Sequence, residues 1–364
     1  MTVTIQADRL EGLVATIFAK AGCSEAEGKR IGKYLVSANL TGHDSHGVQR
    51  VPRYLQWKAE GAFIADRTVK IVSETPVMAV VDGQSGFGQT ITPQAVQIGI
   101  DKCKAMGLAL VALRNVGHIG RVGDWGEMAA AAGLVSIHFV NVNSSVLVAP
   151  FGGVERRFST APYCVAVPRK GEPPLLLDFA TSTVAEGKVL NASFGGKALP
   201  EDALISPDGT TSGDPHVLYG DYTPTGPRNY RQGEGAIRAF GDHKGSGLAF
   251  MCEILGGALT GTGAAMPDRP NFSNGMLSIY IDAARIDPEG FFPEEAKRYT
   301  AFVKSSKPAV KGGEVLVPGE PEARMRTERL ASGIPLPDDT WSAIVEAARK
   351  TGVDEREIQR ATSS

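Results

Sequence analysis

Apolar residues recur at helical spacing near both ends of the chain, with polar residues between them. Ser24 and Glu27 have the Ser-x-x-Glu spacing of a capping box, which predicts a helix that runs to about Leu40 and stops at Gly42. The same apolar spacing predicts two further helices, over 48–61 and 337–361. Both ends of the chain are therefore expected to be helical.

After Gly61 the pattern changes to short β-rich runs that alternate with helix-like segments. Strands are predicted at 69–72, 77–81, 108–113, 134–142, 164–167, 175–179 and 276–281. Helices are predicted at 93–106, 122–132 and 243–259, the last of them long and largely buried. Such alternation is typical of α/β proteins. We predict a central α/β domain over 73–309 and a helical domain that combines 1–72 with 310–364.

The composition excludes several classes of protein. Of the 364 residues, 42% are hydrophobic and 21% are charged, and the net charge of −2 comes without a basic block that would suit nucleic acid or anionic lipid. The first residues do not resemble a signal peptide, and no apolar run is long enough to span a membrane. The cysteines form no Cys-x-x-Cys pair, so we expect reduced, mostly buried thiols in a cytoplasmic protein: Cys23, Cys103, Cys164 and Cys252.

A polar run at 43–54 separates the first two predicted helices. Asp44 or Ser45 is expected to cap the second helix, whose N-terminus favours an anion. Arg50 has the planar fork that suits a carboxylate, and His46 can supply a proton at neutral pH. A carboxylate clamp beside a proton donor is what a site for a 2-oxo or 2-hydroxy acid needs.

Other interpretations of this run remain open. His43 and His46 are three residues apart and could share a metal, which with His118 would favour a metal-dependent lyase or hydrolase. The run also resembles a degraded Gly-x-Ser-x-Gly elbow, but that elbow follows a strand, and here a helix is predicted before it.

Polar clusters also follow three predicted strands and open a predicted helix. They lie at 115–123, which holds His118, at 141–145, at 178–182, and at 242–245. The N-terminus of the helix after 242, with Lys244, could hold a pyrophosphate. No Gly-x-Gly-x-x-Gly between a strand and a helix and no Gly-x-x-x-x-Gly-Lys-Ser/Thr occurs, so the usual nucleotide fingerprints are missing.

Several motifs together resemble one family. They are Ser45-His46-Gly47 with Arg50 and Tyr54, Gly117-His118-x-Gly120, Val148-x-Pro150-Phe151-Gly152-Gly153, Asp178-x-Ala180-Thr181-Ser182, Gly187-Lys188-Val189 and His243-Lys244-Gly245-x-Gly247. In these motifs, over nearly its whole length, the chain is similar to the type 2 malate/L-lactate dehydrogenases. The resemblance implies hydride transfer between NAD(P)H, with NAD favoured, and a small 2-oxo or 2-hydroxy acid. It also implies a non-Rossmann α/β fold with a mostly antiparallel sheet, and a homodimer with a shared active site.

The resemblance also implies a role for particular residues. His46 or His118 would move the proton, and Ser45 would orient His46. Arg50 would hold the substrate carboxylate, and Tyr54 and Thr160 would line the substrate pocket. The stretches expected to contact the cofactor contain Ser144, Asp178, Ala180, Lys188, His243, Lys244, Asn274 and Gly275.

Two departures and one further hypothesis concern the substrate. Ser159-Thr160-Ala161-Pro162 stands where Gly-Thr-Asn-Pro is common in the family, so Ala161 lacks an amide. Lys188 stands where ketimine reductases carry an aspartate, which counts against imine reduction. Arg53 or Arg121 could receive a second anionic group of the substrate, although exposure to solvent or pairing with acids such as Asp124 and Glu127 is the favoured explanation for both arginines.

Overall fold

The computed structural model describes residues 2–223, 228–230 and 232–362. Its helices are α1 (Ala7–Lys20), α2 (Glu25–Leu40), α3 (Val51–Ala59), α4 (Gly88–Met106), α5 (Gly123–Ala131), α6 (Glu186–Ser193), α7 (His216–Tyr219), α8 (His243–Cys252), α9 (Ala283–Ile286), α10 (Phe291–Lys304), α11 (Glu320–Ser332), α12 (Asp338–Thr351) and α13 (Glu355–Thr362). A π-helix, Glu253–Ala258, continues α8.

The strands are β1 (Thr2–Ile5), β2 (Lys70–Glu74), β3 (Met78–Asp82), β4 (Leu108–Val116), β5 (Val135–Val142), β6 (Val148–Ala149), β7 (Tyr163–Val167), β8 (Leu175–Phe179), β9 (Leu204–Ile205), β10 (Thr211–Ser212), β11 (Ala236–Arg238), β12 (Asn274–Ile281) and β13 (Ile334–Pro337). Within the described residues, the largest sheet has seven strands in the order β2-β3-β4-β12-β5-β7-β8, and a smaller one has the order β10-β9-β11-β6. β1 pairs with β13 and so joins the two ends of the chain.

The prediction of a mostly antiparallel, non-Rossmann sheet is corrected by this topology. The fold is α/β with mixed sheets, because β3 pairs parallel with β4 and β11 pairs parallel with β6. The physical reason lies in α4, which connects β3 to β4. A helix between two neighbouring strands carries the chain back to the edge where the first strand began, so both strands run in the same direction.

Several local predictions are confirmed, and their causes can be seen. The Ser24 side chain accepts a hydrogen bond from the Glu27 N–H at 3.2 Å and caps α2. Gly107 ends α4 with a left-handed φ of 89°. However, α4 begins at Gly88, five residues before the predicted start, so Pro93 lies inside the helix.

Buried apolar residues form three clusters. One packs α1, α2 and α12 around Phe18, the second lies against the large sheet around Trp125, and the third packs β6, β9 and β11 near α8. The helix predicted at 243–259 is not largely buried, since Met251 and Leu259 are exposed. The division into domains at 72/73 and 309/310 stays a prediction.

The four cysteines are buried and unpaired, as predicted. None of the described helices combines the length and the apolar composition needed to cross a membrane. The predicted cytoplasmic location stays a prediction.

Candidate active site

His46 and Arg50 lie on two consecutive 3₁₀ turns, Asp44–His46 and Val48–Arg50, between α2 and α3. The Arg50 Nε donates to the Ser45 carbonyl at 2.6 Å. Among the described residues, the two terminal nitrogens of Arg50 have no hydrogen bond or ion pair. The inner nitrogen therefore fixes the guanidinium while its outer edge remains available to an anion.

His118 follows the end of β4 and is 8% exposed. Its Nδ1 lies 2.6 Å from the hydroxyl oxygen of Tyr54. Tyr54 is fully buried, and its hydroxyl accepts a hydrogen bond from the Gln89 Nε2 at 3.0 Å. The Tyr54 hydroxyl is thus a hydrogen-bond partner of His118, and the predicted role of Tyr54 in lining the substrate pocket stays a prediction.

The rings of His46 and His118 are stacked, with centroids 5.3 Å apart and an angle of 8° between their planes. Burial, with the nearby Arg50 guanidinium second, lowers the pKa of His46 to about 3 and lowers the pKa of His118 well below its usual value. The His46 Nδ1 is shielded from solvent and has no hydrogen-bond partner among the described residues, although part of the side chain stays accessible. Two neutral imidazoles therefore stand beside an arginine without a counter-ion.

Helix α6 reaches this site at its first turn. A Cβ on Gly187 would lie 2.5 Å from the Ser45 Cβ, so α6 can come this close only because residue 187 is glycine. The adjacent Lys188 is exposed and forms no ion pair within the described parts of the chain. The Ser45 hydroxyl makes no hydrogen bond with the described residues, so its predicted role in orienting His46 stays a prediction.

Residues distant in sequence hold the 3₁₀ turns. Asp44 accepts hydrogen bonds from the Asn39 Nδ2 at 2.6 Å and from Arg329 at 2.7 and 3.1 Å. The Asn39 Oδ1 accepts the Val48 N–H at 2.8 Å. The predicted cap by Asp44 or Ser45 is wrong, because α3 has no side-chain cap and the Asp44 carboxylate is bound to Arg329.

Arg121 is 1% exposed and is surrounded by carboxylates. It pairs with Asp124 at 3.2 Å and Glu127 at 2.9 Å, and its Nε lies 4.0 Å from Asp178. The Asp178 Oδ2 also accepts the Gly123 N–H at 2.7 Å, at the start of α5. Pairing with Asp124 and Glu127 therefore explains Arg121, and Asp178 is bound to the protein through this oxygen.

Backbone hydrogen bonds bring together several predicted substrate and cofactor contacts. The Thr181 N–H donates to the Thr160 carbonyl at 3.0 Å, and the Phe240 N–H donates to the Thr181 carbonyl at 3.1 Å. The predicted residues assembled in this way are Thr160, Ala180, His243 and Lys244. His243 and Lys244 begin α8 and are exposed, so they are accessible to a ligand.

Asn274 and Gly275, also predicted to contact the cofactor, are buried in the large sheet. The Asn274 amide accepts the Ile119 N–H at 3.0 Å and donates to the Asn141 carbonyl at 2.7 Å. The Gly275 N–H donates to the Asn141 Oδ1 at 3.2 Å. Asn274 thus ties the loop after β4 to β5, whereas Ser144, just beyond β5, is half-buried.

The family departure at 159–162 lies within the protein interior. The Ser159 hydroxyl donates to the buried Glu253 carboxylate at 2.6 Å and accepts the Ala161 N–H at 3.1 Å. Ala161 is fully buried with a φ of 32°, in the left-handed region that alanine rarely adopts. This segment therefore has no amide to offer a substrate, and its serine is bound to Glu253.

The metal-dependent alternative gains no support from these positions. His43 turns to Glu322, with 3.6 Å between Nε2 and Oε1. Among the described residues, no group of three or more His, Cys, Asp or Glu side chains could hold a metal ion.

The sequence analysis did not identify Gln89, Asn39 or Arg329 as parts of the site. Gln89 precedes the predicted start of its helix, and its polar neighbours come from distant segments. Asn39 lies in α2 and Arg329 lies in the polar helix α11, and neither residue is part of a local sequence motif. Only their tertiary contacts show what they do.

Comparisons with known proteins identify the family of the chain. Residues 5–345 match the family described as malate/L-lactate dehydrogenase. The chain is 39% identical to hydroxycarboxylate dehydrogenase B of Escherichia coli K12, over 97% of this chain and 96% of that one. A solved Escherichia coli structure superposes with a TM-score of 0.91, at 37% identity over 99% of both chains. The malate dehydrogenase structure from Pyrococcus horikoshii superposes with a TM-score of 0.84, at 29% identity over 97% of both chains.

These names and the family match assign the reaction class, which is oxidation of a hydroxy acid with a nicotinamide cofactor. They give no support to a lyase or hydrolase. The chain is a 2-hydroxy acid dehydrogenase and belongs to the malate/L-lactate dehydrogenase family.

Proposed function

We propose that this dehydrogenase acts on a small malate- or lactate-like acid with NAD, that Arg50 holds the substrate carboxylate, and that His46 carries the proton. The observation that carries the proposal is that the guanidinium of Arg50 has no counter-ion among the described residues. The groups beside it are two imidazoles, which are neutral and do not balance its charge. A carboxylate offers two oxygens to such a fork and supplies the missing charge.

The proton assignment follows from the same electrostatics. In the free protein, burial and the charge of Arg50 keep His46 neutral. A substrate carboxylate on Arg50 offsets that charge, which raises the pKa of His46 and allows it to be protonated. His46 then gives its proton to the oxygen on C2 of the 2-oxo acid, and it takes the proton back when the hydroxy acid is oxidised.

The nicotinamide supplies the hydride to C2, or accepts it in the oxidation. The cations near its predicted contacts fit a pyrophosphate, since Lys188 and Lys244 are exposed and form no ion pair with any described residue. In the first turn of α8 the Lys244 and Gly245 N–H groups already donate to the carbonyls of Gly241 and Phe240, so the two lysine side chains carry this part of the proposal. The remaining predicted contacts are proposed here for the nicotinamide nucleotide: Ser144, Asp178, Ala180, His243, Asn274 and Gly275.

The choice of NAD rests on Arg238, which lies just before α8. An arginine often accommodates the 2′-phosphate of NADP. Arg238 already pairs with Asp242 at 2.6 Å and with Asp202 at 3.4 Å. A 2′-phosphate would have to compete with both carboxylates, so the unphosphorylated ribose is favoured.

A homodimer is also part of the proposal. Large apolar side chains stay exposed along α8 and the π-helix, with Phe250 54% and Leu259 62% exposed. Between them, Met251 and Ile254 are exposed as well. Exposed apolar groups of this size on one face are typical of a contact surface, and a second copy of this chain would cover them. Light scattering of the purified chain tests the dimer, and replacing Phe250 and Leu259 with aspartate should give monomers.

A substrate panel tests the proposed activity. Pyruvate, oxaloacetate and longer 2-oxo acids are assayed with NADH and with NADPH, and oxidation of the cofactor is followed at 340 nm. We expect turnover of at least one short 2-oxo acid and a higher kcat/KM with NADH. Turnover of none of them, or a preference for NADPH, would overturn the corresponding part of the proposal.

A further inference from the structure

A buried chain of hydrogen bonds leads from α4 to His118. The Gln89 Nε2 donates both to the Tyr54 hydroxyl oxygen at 3.0 Å and to the His118 carbonyl at 3.2 Å. The Tyr54 hydroxyl lies 2.6 Å from the His118 Nδ1 and 3.4 Å from the His118 carbonyl. Gln89 and Tyr54 are fully buried, so water does not compete for these groups.

The direction of each bond in this chain follows from one group that can only accept. The carbonyl of His118 has no proton, so the Gln89 amide must present its NH₂ rather than its oxygen. The same NH₂ donates to the Tyr54 oxygen, and the Gln89 Oε1 is left without a partner among the described residues. Tyr54 then has its own proton to give, and the nearest acceptor is the His118 Nδ1 at 2.6 Å.

This direction determines the tautomer of His118. A ring nitrogen that accepts a hydrogen bond carries no proton, so a neutral His118 must carry its proton on Nε2. Within the described residues the Nε2 has no hydrogen-bond partner, and it is not among the buried unpaired atoms. It is therefore free to donate to a substrate.

We propose that Gln89 and Tyr54 are positioning residues that hold His118 as the neutral tautomer protonated on Nε2, so that His118 donates a hydrogen bond to the reacting oxygen while His46 moves the proton. This assignment deepens the proposed function and rests on it for the identity of the reacting oxygen. The two stacked histidines then have different roles, His118 as a fixed hydrogen-bond donor and His46 as the proton carrier.

The groups around His118 support a neutral ring. The charged or titratable groups that face it are Arg50 from the 3₁₀ turns, His46 stacked on it and Tyr54 from α3. None of these is a carboxylate that would stabilise an imidazolium. His46 differs because its shielded Nδ1 has no donor to hold it in one tautomer.

The start of α4 is shaped to bring Gln89 to this position. A Cβ on Gly88 would clash with the carbonyl of His118 and with the Ile119 backbone, so glycine at 88 permits the close approach. Gln89, the next residue, then lies within hydrogen-bond distance of that carbonyl.

The tautomer can be measured directly in the wild-type protein. ¹⁵N-histidine labelling gives separate imidazole nitrogen signals for each histidine, and a His118→Gln variant identifies those of His118. We expect a protonated Nε2 and an unprotonated Nδ1 from about pH 5.5 to 8.5, without titration. A His118 that titrates in this range or carries its proton on Nδ1 would overturn the proposal, and this measurement needs no stable variant of the buried chain.

Gln89→Met tests the role of the amide. Without it, Tyr54 can turn its proton to the His118 carbonyl, so the two nitrogen signals should move towards a tautomeric average. We expect kcat to fall about fivefold with KM for the 2-oxo acid unchanged, since one hydrogen bond that orients the ring is lost. Gln97→Met on the same helix is the matched control, because Gln97 is exposed and its amide donates to Asp101, and this variant should behave as the wild type.

A Gln89→Met variant with the wild-type tautomer and kcat would overturn the positioning role. Absence of dehydrogenase activity in the wild type is a separate failure. It would overturn the proposed function, while the nitrogen signals would still decide whether Gln89 and Tyr54 fix His118.

Discussion

Arg50 and Arg121 both lie close enough to His46 to lower its pKa, yet their surroundings are opposite. Arg121 is buried among Asp124, Glu127 and Asp178. Arg50 has imidazoles and a backbone carbonyl near it, and no carboxylate among the described residues binds it. A guanidinium already neutralised by the protein holds the fold together, whereas one without a counter-ion can receive a substrate anion.

This comparison also removes Arg121 from the hypothesis of a second anion site. Arg121 has no free edge for a substrate, because two carboxylates bind its terminal nitrogens. Arg53 is exposed, donates to Gln56 at 3.0 Å and lies over the Trp57 ring at 5.6 Å. Arg121 therefore does not supply the second anion site, while that role for Arg53 stays a prediction.

The strongest test of the comparison removes Arg121. Arg121→Met should lower the free energy of unfolding by about 3–5 kcal/mol, because it leaves buried carboxylates without their cation. Urea unfolding measures the loss. Arg53→Met is the exposed control and should stay within about 0.5 kcal/mol of the wild type. Equal stability of the two variants would mean that burial does not distinguish these arginines.

On the functional side, His46→Ala should lower kcat about a hundredfold or more, since general acid catalysis typically contributes that much. NADH affinity, measured by fluorescence titration, should be unchanged. His118→Ala tests the competing hypothesis, in which His118 carries the proton. Normal turnover in the His46 variant together with a collapse in the His118 variant would reverse the assignment of the proton carrier.

Arg50→Lys keeps the charge and removes the fork. KM for the 2-oxo acid should rise about tenfold, since a charge-assisted hydrogen bond is lost. The urea midpoint should fall only slightly, because Arg50 has no ion pair among the described residues and loses one hydrogen bond, from its Nε to the Ser45 carbonyl. A wild-type KM would remove Arg50 from the substrate site.

The smallest expected effect concerns pH and the Arg121 cluster. Burial raises the pKa of Asp124 to about 6, although Arg121 opposes the shift. A carboxyl with a raised pKa binds its proton more tightly in the folded state, so folding stability falls as the pH rises from about 4 to about 6. One such group gives a slope below about 1.4 kcal/mol per pH unit. In the Asp124→Asn variant, the urea midpoint should depend less on pH in this window than in the wild type. An unchanged pH dependence would contradict the raised pKa of Asp124.

The sequence predicted most of the helices and strands that are long enough to show a repeating pattern of apolar and polar residues. The capping box at Ser24 and the strand at 175–179 are confirmed at the predicted positions. The small sheet was missed because β6, β9 and β10 have two residues each, too few to show a period of two. The parallel pairing of β3 with β4 depends on how α4 packs, which the local pattern does not contain.

The same limit applies to the site. His46 and Arg50 could be recognised because they occur together in one polar run. The bond between Tyr54 and His118 spans 64 positions, and no spacing rule predicts it. Met251 and Leu259 form a helical apolar stripe that suggests burial, yet this chain alone leaves them exposed. The sequence pattern identifies candidate functional side chains, and tertiary packing decides which of them are already bound to other groups of the protein.

The bond between Asp44 and Arg329 has a consequence for the folding of the enzyme during its synthesis. Arg329 is made 285 positions after Asp44. At about 5–20 residues per second, a ribosome needs roughly 15–60 s to cover that distance. From the synthesis of His118 until that of Arg329, the nascent chain has His46, His118 and Arg50 but lacks the residue that fastens the loop of His46 and Arg50. A polypeptide cut short before α11 therefore carries every proposed catalytic group and still cannot complete the site that they form.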